Sequence, residues 1–465
     1  MRLTDFKKRK ILVMGLGLHG GGVGAAAFFS RLGSRVVVTD LKTKRGLAPS
    51  IAKLKRFKAI TYHLGGHRPA DFKTADYVIQ GPGVPENSQF LRIAKQARVP
   101  VLSDVEIFFR ACPAPIIGIT GTKGKSTAAS LLFELLGAKI GRGSRAAPWV
   151  RPSRIKRGSS VWLGGNIRKS MLEFLPQVRA GDHVVLELSS FQLDSLKRQK
   201  QSPPIAIITN VFPDHLNRYP SMRAYGASKA NIFKYQKRGD RLFINAKDPL
   251  LRRLARTAPG RVMRFNPDAI ARRFRTSIPP DVPSYHIPNI AAAAAVATHL
   301  GVGDREIRRA IARFRGLEGR LELVRRFRGV EFVNDTTATN PGAAAAAVGE
   351  TKRRIGKRGL HVIAGGADKG LPVGELVQAL VKQATSVVFL PGTATNKIKA
   401  NIKRQKSKMR KPASASSMRE AVNMAYRNAA RGDVVLLSPG AASFGLFKHE
   451  FDRGKKFVEA VRRLR

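Results

Sequence analysis

Short apolar runs recur along this chain, and most stop at a glycine or small polar residue before a stretch with helical spacing begins. Lys10–Leu16 (KILVMGL) predicts a strand, Val23–Leu32 a helix, and Arg35–Thr39 a second strand ending at Asp40. Asp76–Gln80 predicts a further strand that enters Gly81-Pro82-Gly83-Val84-Pro85. The helical Asp104–Arg110 follows, and prolines at 113 and 115 mark a boundary. Strand and helix return around Ile116–Thr127 (IIGITGTKGKST) and Ala128–Leu136. Apolar strands are then expected at Val161–Ile167, Val184–Leu193, Ile205–Asn210 and Leu242–Asp248, before an alanine-rich helix at Asn289–Leu300. From Leu317 the pattern restarts, with strands at Val330–Asn334, from His361, at Ser386–Leu390 and at Asp433–Leu437, each ending in small or polar residues.

Strands alternating with helices predict an α/β protein. We expect three domains: a Rossmann-like one over 1–112, a P-loop ATPase-type one over 113–316, and a second Rossmann-like one over 317–465. Ligands are expected at the carboxyl edges of the sheets. Length agrees, since 465 residues suffice for about three cores. No apolar run approaches the ~18 residues that cross a bilayer, and the amino terminus lacks the long apolar segment of an export signal. A single cysteine, Cys112, excludes an internal disulfide and agrees with a reducing cytoplasm.

Charge complicates this picture. Lys and Arg number 85 against 31 Asp and Glu, a formal +54 that ordinarily suggests a polyanionic partner. The excess is spread over all three segments (+13, +24 and +17) rather than gathered in a binding tail. The densest runs, 139–158 and 397–411, read as solvated loops or as patches that meet polyanions. They contain almost no aromatic residues to stack on bases, so no nucleic-acid partner is expected.

The chemistry starts at Gly121-Thr122-Lys123-Gly124-Lys125-Ser126-Thr127. Between a strand and a helix, this spacing gives backbone N–H groups for phosphate, a Lys125 ammonium for the β/γ-phosphates and a Ser126 hydroxyl for Mg²⁺. Glu187, emerging from an apolar strand downstream, is a candidate Mg²⁺ ligand or else an exposed edge carboxylate. Gly15-Leu16-Gly17-Leu18-His19-Gly20 with Asp40 suits a diphosphate-bearing ligand, either a dinucleotide or a UDP-sugar. Asp214-His215 at a strand end, then Ser228-Lys229, form a polar cluster suited to an anion or a metal.

Together these motifs resemble the Mur ligases, the ATP-dependent amide-forming family of peptidoglycan precursor synthesis, and most closely its D-glutamate-adding members. GLGLHG, GPGVP, ITGTKGKST, LGGNI, LELSSFQL, NVFPDHLNRY, GASKANIF, GRLELV, FVNDTTATNP, GGADKG and LSPGAASFGLFKHEFDRGKKF occur in family order over nearly the whole chain. The resemblance implies that Leu18, His19 and Asp40 hold a UDP group, with Gly81 and Gly83 closing over it and Ser189 and Gln192 on the substrate side. It implies ATP at Gly121–Thr127, with Asn289, Arg320 and Asp335 as further nucleotide contacts. Two Mg²⁺ ions would be held by Ser126, Glu187, His215 and a carbamylated Lys229. Thr339, Lys369, Ser438 and Phe447 would form the D-glutamate pocket. Lys125, Asn166, His215, Lys229 and Lys369 would stand at the reacting centre. The expected activity is that of a cytoplasmic, monomeric ATP-dependent acid–amino-acid ligase joining D-glutamate to UDP-N-acetylmuramoyl-L-alanine, with weak association to anionic membrane.

Some positions depart from the family pattern. His19 replaces Ser or Thr, Leu41-Lys42 is a loose acid-x-basic element, and Tyr285-His286-Ile287-Pro288-Asn289 keeps only the second Asn of the adenine motif. Thr337 replaces a lysine, and 141–158 reads as an insertion. Rival readings are another Mur-type or folylpolyglutamate-type amide ligase and a basic P-loop nucleic-acid-binding protein.

Overall fold

The computed structural model describes residues 3–465 apart from 19, 140–152, 155–158, 167–169, 213–218, 280–281, 283–285, 315 and 406–411. The chain forms two compact units. One comprises Met1–Pro280 with His286–Phe314 and holds two sheets; the other is chiefly Arg315–Arg465 and holds a third.

In the first sheet β1 (Lys10–Met14), β2 (Arg35–Asp40), β3 (Ile60–Leu64), β4 (Tyr77–Gln80) and β5 (Val101–Ser103) lie parallel in the order β3-β2-β1-β4-β5. The expected strands at 10, 35 and 76 are present. β3 and β5 had no sequence forecast: along β3 only Ile60 is buried, and β5 has three residues.

The second sheet contains β6 (Ile116–Thr120), β7 (Ser153–Arg154), β8 (Ser160–Gly165), β9 (His183–Glu187), β10 (Ile205–Ile208), β11 (Arg241–Asn245) and β12 (Arg261–Phe265). Its order is β12-β11-β10-β6-β9-β8-β7, parallel except for the β7–β8 pair. The strand expected over Val184–Leu193 ends at Glu187, and Ser190–Arg198 is a helix. The reason is a capping box: the Ser189 hydroxyl accepts the Gln192 N–H while the Gln192 side chain accepts from the Ser189 backbone.

These two sheets share one apolar core and lie in one compact unit. The helix Asp104–Ala111 buries Phe108 edge-on against Phe174 at 5.5 Å, and Phe174 stacks on Trp162 at 5.4 Å. Arg198 completes the seam, donating to Glu86 beyond β4 at 3.0 Å and to the buried Glu106 at 3.0 Å.

The second unit is a six-stranded sheet of β13 (Glu322–Phe327), β14 (Val330–Asn334), β15 (Leu360–Ala364), β16 (Ser386–Phe389), β17 (Ala413–Ser414) and β18 (Val434–Leu437), ordered β13-β14-β18-β15-β16-β17. All pairs are parallel except the β13–β14 hairpin. Where a basic loop was considered, Thr393–Lys403 is a helix: Ala394, Ile398 and Ile402 recur every four residues and are buried, leaving the lysines on the other side. Residues 140–152, 155–158 and 406–411 of the basic runs lie outside the described residues.

Candidate active site

β6 delivers the glycine-rich loop to the amino end of the helix Lys125–Lys139, as the strand–loop–helix spacing demands. Gly121 has φ +149° and Gly124 φ +80°, backbone states that side chains oppose. A Cβ at Gly121 would collide with Thr209 Oγ1, and one at Gly124 with the Asn289 side-chain amide, so both glycines are also required by close packing. Asn289 is therefore seated against the phosphate loop, in the first turn of the helix Ile287–His299.

Lys125 Nζ donates to the carbonyls of Gly121 and Thr122, both at 3.0 Å, and so lies back over the loop. Ser126 and Thr127 are buried at the helix start. Lys229, on the helix Met222–Ala230, is 1% exposed. Its Nζ also donates to Gly121 O at 2.8 Å and lies 4.6 Å from the centre of the Tyr225 ring.

Two residues that the sequence reading left out hold this loop. The Asn210 side chain brackets the Lys123 peptide, with Oδ1 accepting its N–H and Nδ2 donating to its carbonyl, each at 2.9 Å. Thr209 Oγ1 donates to Lys123 O at 2.7 Å. A polar pair closing the strand Ile205–Ile208 was the available signal.

Glu187 ends β9 with Ile119 of β6 as its register partner and is 2% exposed. The alternative of an exposed edge carboxylate is thereby corrected, because β9 is flanked by β6 and β8. Asn166 donates to Glu187 Oε1, whereas Oε2 is buried with no hydrogen-bond partner among the described residues. An orphaned carboxylate oxygen at a phosphate-loop sheet edge fits a hard cation, since burial without one is costly. His215 lies outside the described residues, among which no cluster of three or more His, Cys, Asp or Glu suited to a metal occurs.

At the first sheet, the Asp40 carboxylate accepts from Gly17 N at 3.0 Å and Lys42 N at 2.9 Å, fixing the glycine loop over the carboxyl edge. Leu18 packs on the core; His19 lies outside the described residues. Gly81 hydrogen-bonds Met14 O at 2.9 Å, and Gly83 is exposed. Gly81 and Gln192 line one small cavity together with Gln80, Ser103 and Asp104. Gln192 and Ser189 also spend their side chains on the capping box. Burial raises the Asp104 carboxyl to about 6, a perturbed group that sequence reading missed.

In the second unit Lys369 Nζ donates to Thr339 Oγ1 at 3.1 Å, and Ser438 donates to Asp335 Oδ2 at 2.9 Å. Asp335 Oδ1 accepts from Leu321 N at 3.3 Å. Desolvation lowers the Lys369 pKa, with Glu450 opposing and Arg453 reinforcing that shift. Arg320 is exposed. Phe447 lines another surface, a groove with Met418, Arg419 and Lys456. Thr337 donates to Gly319 O at 2.8 Å and brings no charge.

Models of known families match three consecutive stretches: the Mur ligase MurD-like N-terminal domain at 9–103, the Mur ligase middle domain at 119–287, and the Mur ligase glutamate ligase domain at 319–440. A UDP-N-acetylmuramoylalanine–D-glutamate ligase of Roseiflexus sp. (strain RS-1) is 39% identical, over 97% of this chain and 98% of the relative. The chain belongs to the Mur ligase family. Another Mur ligase with the same name, from Borreliella afzelii (strain PKo), is 35% identical over 99% of both chains. The three-domain Mur ligase fold is shared with the UDP-N-acetylmuramate-alanine ligase MurC of Thermotoga maritima (TM-score 0.60, 17% identity, 98% and 99% covered). It is shared also with MurF ligase of Thermotoga maritima in complex with ADP (TM-score 0.56, 17% identity, 99% and 100% covered). Among the described residues of this Mur ligase, no helix is long and apolar enough to cross a membrane.

Proposed function

We propose that this Mur ligase joins D-glutamate to UDP-N-acetylmuramoyl-L-alanine at the expense of ATP, in the cytoplasm, for peptidoglycan precursor synthesis. The observation that carries this reading is likeness over the full length to relatives named for that reaction, at 39% and 35% identity.

In this reading the glycine loop Gly121–Thr127 cradles the ATP phosphates, and Lys125 exchanges its two loop carbonyls for the β/γ-phosphate oxygens. Asn289 contacts the nucleotide from beside Gly124, and Arg320 and Asp335 are its contacts on the second unit. Ser126 and Glu187 would hold one Mg²⁺, His215 and a carbamylated Lys229 a second. Bound there, the cations would screen phosphate charge during transfer. A carbamylated Lys229 keeps one N–H, which can still donate to Gly121 O. Leu18, His19, Asp40, Gly81, Gly83, Ser189 and Gln192 serve the UDP-sugar substrate.

The L-alanyl carboxylate of that substrate attacks the γ-phosphorus and ADP departs, leaving an acyl phosphate. The D-glutamate amine, oriented through its carboxylates by Lys369, Thr339 and Ser438, attacks the activated carbonyl; phosphate leaves and an amide remains. Asn166 holds Glu187 in place while this happens. The domain limits 1–112, 113–316 and 317–465 belong to the same proposal. So do a monomeric state and weak attraction to anionic membrane, which vesicle pelleting at low and high salt tests.

Phosphate release from ATP and Mg²⁺ with UDP-N-acetylmuramoyl-L-alanine tests the reaction. Release with D-glutamate, and not with L-glutamate, L-lysine or no amino acid, is the expected result. Equal release with every amino acid would refute it.

A further inference from the structure

Arg453 is 0% exposed, yet none of its hydrogen-bond partners is a carboxylate. Nε donates to Thr336 Oγ1 at 3.1 Å, Nη2 to Thr336 O at 2.8 Å and Nη1 to Ala441 O at 3.0 Å. The Thr336 hydroxyl in turn donates to Glu450 O at 2.6 Å, at the start of the helix Glu450–Arg462. Burying a guanidinium on neutral acceptors is expensive and survives only where the geometry satisfies it. Burial lowers its pKa to about 10 against the opposing pull of the nearby Glu450 and Asp335 carboxylates, so it remains a cation at neutral pH.

The next residue has a related purpose. A Cβ at Gly454 would lie 2.6 Å from Thr336 Cγ2 and 3.2 Å from Asn334 Nδ2, so glycine lets the helix press against the end of β14. Glycine inside a helix costs about 1 kcal/mol relative to alanine. Phe457, one turn on, is fully buried in the core beneath the sheet. Arg453-Gly454-x-x-Phe457 thus joins a clamp, a close approach and an anchor on one helix.

The clamp's two backbone acceptors belong to two loops. Thr336 precedes Thr339, the partner of Lys369, by one turn of chain; Ala441 follows Ser438, the partner of Asp335, by the same distance. We propose that Arg453 is a positioning residue for the amino-acid pocket, its guanidinium holding the loop of Thr336–Thr339 and the loop of Ser438–Ala441 at one fixed separation. A dicarboxylic amino acid must be gripped at both ends for its amine to face the acyl phosphate, and the separation sets that grip. The inference rests on the assignment of Thr339, Lys369 and Ser438 to D-glutamate made above.

The test is steady-state kinetics of Arg453→Met, Arg453→Lys and Thr336→Val beside the unaltered chain, with melting temperatures. Misplacing a binding loop by an ångström costs up to about a hundredfold, so Arg453→Met is expected to raise KM for D-glutamate by about 10- to 100-fold. KM for the UDP-linked substrate should stay near that of the unaltered chain. Arg453→Lys should recover part of the loss, and Thr336→Val, which keeps the shape and removes one acceptor, should shift KM the same way by less. Thr336→Val carries the test if Arg453→Met does not fold. Lower melting temperatures with an unchanged KM for D-glutamate would overturn the proposal and leave Arg453 a stability element. Absence of D-glutamate-dependent turnover in the unaltered chain would instead remove the pocket assignment, and this proposal with it.

Discussion

Asn166 donates its side-chain amide to Glu187 Oε1 at 3.0 Å and its backbone N–H to Glu187 O at 2.8 Å, so the residue that follows β8 fixes the carboxylate that ends β9. A Cβ at Gly165 would collide with Glu187 O, which makes glycine the residue that allows this approach. With Oε2 unsatisfied, Glu187 is costly to the fold and useful to a cation. Glu187→Gln is therefore expected to lower Mg²⁺-dependent phosphate release by at least about a hundredfold. Its melting temperature should hold or rise. A large loss of stability with activity retained would contradict this assignment.

Lys125 is the complementary case. Its ammonium donates to the loop carbonyls of Gly121 and Thr122. Lys125→Met should remove about three orders of magnitude of ATP turnover while moving the melting temperature by only a few degrees. Phosphate release from ATP and thermal unfolding measure the two separately.

Much of this was legible because an α/β chain punctuates itself. Buried parallel strands are continuous apolar runs, and glycines mark where each meets its helix, as at Ile116–Gly121. What stayed hidden depended on partners distant in sequence. Asn210 brackets Lys123 across 87 residues, and Arg453 reaches Thr336 across 117. Nothing local to either position names its partner. The Ser189–Gln192 capping box was local but masked by the apolar residues around it. Asp104 reads as an N-terminal helix acid, and burial by the rest of the unit, reinforced by the Glu106 charge, perturbs it.

Arg198 links Glu86 and Glu106 across the seam between the first two sheets. Glu106 is 2% exposed and also accepts from Ser103, so losing the guanidinium leaves a buried carboxylate only partly compensated. Arg198→Ala should destabilise the first unit by about 1–3 kcal/mol, and pairing it with Glu106→Gln should recover a portion. A denaturant double-mutant cycle reads the coupling.

Asp104 gives a pH signature. Its folded pKa of about 6, against an ordinary 3.8, means that below about pH 4 both folded and unfolded states are protonated. From about pH 4 to 6 the unfolded chain ionises first, so this residue withdraws stability as pH rises, and above about pH 6 the penalty is constant. Asp104→Asn should be more stable than the parent above pH 6 by roughly 3 kcal/mol. The gap should close toward pH 4, as parallel melts across that range would show. Glu134, raised to about 7 by burial, acts in the same direction in both proteins and drops out of the difference.

The continuous core beneath β1–β5 and β6–β12, with Phe108, Phe174 and Trp162 at its seam, also limits how such a chain can be recombined. A cut at residue 112 would carry Phe108 away and uncover the edge of Phe174 it meets, while the Phe174–Trp162 stack would stay with the second sheet. Grafting the first sheet of a relative therefore means transplanting the residues at Phe174, Trp162 and Arg198 with it. The first sheet and the phosphate-loop sheet are therefore exchangeable only as one piece, because the rings between them are shared.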